Sequence, residues 1–70
     1  MISLAEFVKA RRKAVKLTQE EFAERCGIAL TVIRKIEQDK TNLNLDKVNQ
    51  VLLMFGHEVG PVQIEKTSEE

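Results

Sequence analysis

The sequence predicts an all-α fold of about four helices followed by a short C-terminal strand, and three observations predict it. Two helix starts are written as complete capping boxes, apolar residues recur at helical spacing in four segments, and a glycine stands just past two of those segments. In a capping box a Ser or Thr side chain accepts from a backbone N–H three residues on, and a Glu there reaches back to the cap's own N–H. Two donors that the helix cannot satisfy internally are satisfied together.

Ser3 with Glu6 is the first box, and Ile2 before it and Phe7 after it have the spacing of a hydrophobic staple. Helix 1 should run from about Leu4 to Val15. Thr18 with Glu21, flanked by Leu17 and Phe22, repeats both devices and opens a second helix from about Gln19 to Cys26. Gly27 ends it, because glycine adopts a left-handed conformation without a Cβ clash. Three residues, Gly27 to Ala29, separate this helix from the next pattern, Leu30 to about Gln38, where Ile33, Ile36 and Glu37 share a face. The run DKTNLN reads as a polar turn, and Asn44 is a good cap for a fourth helix with Leu45, Val48, Val51, Leu52 and Phe55 at core spacing. Gly56 stops it. Val59, Val62 and Ile64 then suggest a short strand, which Gly60 and Pro61 confine to an edge or a bulge. The expected organisation is a body of residues 1–56, a strand for dimerisation over 57–64 and a disordered acidic tail over 65–70.

Seventy residues, 43% hydrophobic and 31% charged, have the composition of one small soluble domain. No run approaches the 18 or so apolar residues of a membrane span, and the first residues lack the pattern of a signal peptide, so the cytoplasm is the expected location. With one cysteine, Cys26, and one histidine, His57, the chain has no internal disulfide and no spaced set of metal ligands. Nor is there a nucleophile with a neighbouring base or a glycine-rich phosphate loop, which argues against an enzyme and against a cofactor. Cys26 follows Phe22 by one helical turn and reads as a buried, inert thiol. The zero net charge conceals an asymmetry. Residues 1–56 carry ten Lys and Arg against seven Asp and Glu, whereas residues 57–70 carry one Lys against four Glu. A mildly basic body with an acidic arm fits a nucleic-acid partner.

The motif that carries a function is QEEFAERCGIALTVIRKIEQ, starting at Gln19. Ala23 is small where two crossed helices approach, Gly27 makes the turn, and Ile28, Ile33 and Ile36 close the shared core. This is a helix-turn-helix, whose second helix fits the major groove of DNA, about 12 Å wide. LTQEEFAERCGI followed by VIRKIEQDK resembles the Xre family, the lambda-repressor-like fold of phage repressors. The run from MISLAEFV through LDKVNQVLLMFGHEVGPV is similar to short HipB-like antitoxins of toxin–antitoxin operons, and the likeness covers about residues 1–62.

That resemblance implies a homodimer on a pseudo-palindromic operator in double-stranded DNA, repressing its own operon and binding a HipA-like kinase toxin. It also implies roles for residues. Ala29, Leu30, Thr31 and Arg34 would face base edges, with Arg34 able to bond guanine bidentately and Thr31 to offer its hydroxyl or methyl. Ala29 departs from the Ser or Thr usual at that cap, and Leu30 either touches a thymine methyl or turns inward. Gln19, Lys35, Lys40, Thr41 and Asn42 would lie along the phosphate backbone. Arg12 shares a face with Val8 and Val15, Glu37 faces inward, and the family pairs an Arg and a Glu at these positions, which gives a structural ion pair. Leu53 and Met54 widen the apolar arc of the fourth helix. A dimer interface is therefore expected from Leu52, Phe55, His57, Val59 and Val62, with the C-terminal segments paired. Two other readings stay open: a phage or mobile-element repressor with no toxin, and an interaction module that has lost DNA binding.

Overall fold

The structure is a computed structural model, and it describes residues 2–63. Four helices follow one another: α1 Leu4–Ala14, α2 Gln19–Cys26, α3 Leu30–Glu37 and α4 Leu45–Leu53. Both capping boxes form. Ser3 Oγ accepts from the Glu6 N–H at 3.1 Å and Glu6 Oε1 from the Ser3 N–H at 3.0 Å. Thr18 and Glu21 do the same at 3.1 and 2.8 Å. Asn44 caps α4 through the Lys47 N–H, whereas Ala29 begins α3 with no side-chain cap.

All four helices end alike. Past each end one residue takes a left-handed conformation, and the N–H of the residue after it reaches the carbonyl five residues back, which is the Schellman arrangement. Leu17 bonds the Arg12 carbonyl, Ile28 that of Ala23, Lys40 that of Lys35 and His57 that of Leu52, at 3.0 to 3.2 Å. The left-handed residues are Lys16, Gly27, Asp39 and Gly56, with φ of 60°, 70°, 63° and 71°. Glycine at two of these corners made those helix ends legible in the sequence. Lys16 and Asp39 occupy the same backbone with a Cβ, so no residue type announced them.

The core lies where α3 packs against α1 and α2 and α4 closes the remaining side. Val8, Phe22, Ile33, Ile36, Val48 and Val51 are its fully buried large side chains. Phe55 covers it from the end of α4, stacked on Phe22 with ring centroids 5.7 Å apart, and Phe7 meets Phe55 edge-on at 6.3 Å. Leu43 packs against the same core from within the turn read as polar.

Two expectations need correction. Leu45 is 64% exposed, because it is the first residue of α4 and lies before the inward stripe that Val48 begins. Val15 is 51% exposed, because the helix ends at Ala14 and Val15 is already its cap. Among the described residues no strand forms within one chain, since a strand needs a ladder partner and the expected partner is the same segment of a second chain. The Val59 N–H is instead accepted by Asn49 Oδ1 of α4 at 2.8 Å, with Val59 half-buried against the core. Ile64 and the tail 65–70 lie outside the described residues.

Candidate nucleic-acid interface

Helix α3 has two chemically different faces. Ile33, Ile36 and Glu37 are buried, and Thr31, Arg34 and Lys35 are exposed. The polar stripe runs on to Gln38, four residues beyond Arg34 and seven beyond Thr31, so it lies on the same side of the helix. Gln38 was passed over in the sequence because it stood at the expected end of the helix, where periodicity carries little weight. Ala29 is exposed at the start of the stripe. Leu30 is half-buried and packs against the core, so much of its side chain is committed inward. Lys40, Thr41 and Asn42 are exposed in the turn that follows.

A polar network behind α3 fixes the helix. The Arg12 guanidinium donates through Nε to Glu37 Oε2 at 2.7 Å and through Nη2 to Oε1 at 2.9 Å. Its Nη1 reaches the Leu17 carbonyl at 2.9 Å. Gln19 Nε2 adds a third bond to the carboxylate, to Oε1 at 3.1 Å. The two charged side chains are 12% and 2% exposed, so the pair is nearly desolvated. A fork-to-fork pair with a third donor on the carboxylate is the geometry that makes such burial tolerable. Burial pushes the Glu37 carboxyl up, but the bonds from Arg12 and Gln19 and the charges of Arg12 and Lys9 outweigh it and hold the group below its ordinary value. The bond to Glu37 raises Arg12 against the opposing effect of burial.

One network therefore joins α1, the start of α2 and α3, and the ion pair read from the sequence is present as a bidentate contact. Gln19 belongs to this network too. Its amide nitrogen faces Glu37, which the sequence gave no means of seeing, since the two residues are eighteen apart. Cys26 is 7% exposed and burial pushes its thiol up, which disfavours the reactive thiolate. Among the described residues no cluster of acidic, His or Cys side chains could hold a metal ion, and no helix is long and apolar enough to cross a membrane.

The expected interface residues divide. Leu52 is 4% exposed and belongs to the monomer core, Phe55 and Val59 are half-buried, and His57 and Val62 are exposed. Leu53 and Met54 stand further out, at 72% and 43% exposed.

Comparison with curated proteins and with solved structures finds no match. The model of the helix-turn-helix family matches residues 8–56, from the middle of α1 to the left-handed corner after α4. That span takes in the Arg12–Glu37 pair, the turn at Gly27 and the exposed stripe of α3. On this match and this geometry the chain belongs to the Xre-like helix-turn-helix family of sequence-specific, DNA-binding transcription regulators.

Proposed function

We propose that the protein is a homodimeric repressor of its own operon that reads a pseudo-palindromic site with α3 and doubles as a HipB-like antitoxin of a HipA-like kinase toxin. The observation that carries the DNA reading is the exposed stripe of Thr31, Arg34 and Lys35 on an α3 held rigidly by the Glu37 network. A helix fixed on one face and polar on the other is what direct readout in the major groove needs. In this reading Arg34 and Thr31 contact bases, with Ala29 and the outer part of Leu30 close by. Lys35, Lys40, Thr41 and Asn42 contact phosphates. Gln19 holds Glu37 and contributes to the phosphate contact through its position at the start of α2. The antitoxin part rests on the likeness of the α4 and C-terminal segments to HipB-like chains.

The test uses a duplex selected by the protein from a randomised pool and a scrambled duplex of the same length. Arg34→Ala should weaken binding to the selected duplex by about 1 to 3 kcal/mol and leave the scrambled one nearly unchanged. Lys40→Ala should weaken both alike and lower the salt slope by about one. Equal losses for Arg34→Ala on the two duplexes would move Arg34 to the phosphate contacts. A HipA-like kinase gene beside this one, and co-purification of the two products, test the antitoxin role; a neighbouring region without one favours a mobile-element repressor. The uncapped Ala29 and inward Leu30 favour the interaction-module reading, which salt-dependent DNA binding would exclude.

A further inference from the structure

Among the described residues, Gln50 makes the only hydrogen bonds from α4 to the helix-turn-helix unit. Its Nε2 donates to the Cys26 carbonyl at 2.9 Å and lies 3.4 Å from the Gly27 carbonyl. Both neighbours are acceptors, which fixes the orientation of the amide: only the nitrogen can face them. These carbonyls belong to the last residue of α2 and to the left-handed corner that sets the entry to α3. A Cβ on Gly27 would come into van der Waals contact with the same nitrogen at 3.4 Å, so the Gln50 amide lies directly against the left-handed corner. Beside this contact, Arg25, Cys26, Gln50, Leu53 and Met54 line an open hollow of about 270 Å³. The side chain that grips the turn therefore stands next to Leu53 and Met54, two exposed apolar residues at the end of α4.

We propose that Gln50 is a positioning residue for DNA recognition: it locks the turn between α2 and α3 to α4 and so fixes the angle of the recognition helix relative to the α4 face. The proposal rests on the DNA-binding reading. A dimer built on the α4 face inherits that angle twice, and an error in it moves the two recognition helices out of register with their half-sites. Non-specific binding, which depends on charge and not on register, is insensitive to it.

Two variants separate the donor from the side chain's bulk. Gln50→Met keeps the length and removes the donor; Gln50→Lys keeps a donor of similar reach. With the full chain, amide exchange at Gly27 and Ile28, whose N–H groups close the turn, should speed up about fivefold or more in Gln50→Met while α1 amides stay unchanged, the size expected for loss of one net hydrogen bond. Affinity for the duplex selected by the wild type should fall by a similar factor, with the scrambled duplex held within about twofold, and Gln50→Lys should restore both the exchange pattern and the ratio of the two affinities. Unchanged exchange at Gly27 and Ile28, or an equal loss on both duplexes, would overturn the positioning role. Uniformly faster exchange through α1 would reassign Gln50 to general stability and overturn it as well. Failure of the wild type to enrich any sequence would sink the DNA reading instead, and the exchange measurement would still decide whether Gln50 holds the turn.

Discussion

Glu37 is the residue on which the most structure converges, since it accepts from Arg12 twice and from Gln19 once while only 2% of its side chain reaches solvent. Removing one partner of such a pair leaves a charge buried without compensation. Arg12→Met or Glu37→Leu alone should each cost about 3 to 5 kcal/mol, and the double replacement should recover much of that. Additive losses in a double-mutant cycle followed by urea unfolding would contradict the contact. The pH dependence has a definite sign. Glu37 binds its proton less readily folded than unfolded, so its stabilising effect is complete above the ordinary glutamate value and is lost as pH falls through the depressed folded value. The stability gap between wild type and Glu37→Gln should therefore narrow in acid; a constant gap from neutral pH down would refute the depressed carboxylate. Arg12 and Glu37 were legible because burial of a charge on an apolar face demands a partner and because the family that the chain resembles pairs an Arg and a Glu at these positions. Gln19 was not, because an amide on a capped helix start gives no such demand.

At the scale of elements, the starts of the helices were more legible than their ends. Ser3, Thr18 and Asn44 are caps whose side-chain oxygens reach three residues along the same chain, so the sequence contains the whole interaction. The Schellman ends are equally local, but their signature is a backbone conformation, and only Gly27 and Gly56 betray it. Lys16 and Asp39 hold the same left-handed geometry against the clash that an L residue meets there. Asp39→Gly and Lys16→Gly should each stabilise the fold by about 0.5 to 1 kcal/mol, the relief of the clash exceeding the entropy that glycine adds to the unfolded chain. Thermal unfolding checks this, and a lowered midpoint for both would show that the corners are not strained.

The whole molecule leaves apolar surface uncovered at its C-terminal side. Ile2, Phe7, Leu52, His57, Val59 and Val62 border an open groove of about 500 Å³ between the start of α1 and the segment after α4. His57 lies over Phe7 at 4.9 Å, and Arg11 stands 5.3 Å from the centre of the same ring. The proposed dimer covers this side by pairing the segments after Gly56 of two chains about a two-fold axis. Deleting residues 57–70 should then shift the protein toward monomer in light scattering at micromolar concentration and weaken binding to the selected duplex. A truncated chain that remains dimeric with full affinity would dismiss the segment pairing, and a monomeric full-length chain would dismiss the dimer. The sequence made the apolar excess of α4 visible through Leu53 and Met54. It placed Leu52 both at core spacing and in the dimer interface, and it did not show that Asn49 captures Val59, because that depends on how α4 is rotated against the segment that follows it.

The bare start of α3 has a consequence for the order in which the chain organises itself. α1 and α2 carry their own start signals, so a turn of each can form transiently from neighbouring residues alone. α3 has eight residues, no cap at Ala29 and no acidic residue in its first turn, and a helix that short does not persist by itself in water. Its helical state is conferred by Ile33, Ile36 and Glu37 closing on the other two helices. The surface assigned to reading DNA is thus helical only once α3 is packed, and the buried Ile33, Ile36 and Glu37 that confer the helix also guard it against local opening. Ala29→Ser, worth about 1 kcal/mol as a cap, would give the recognition helix the start signal it lacks. Its amides would then exchange more slowly than those of the wild type without any new contact to the rest of the fold.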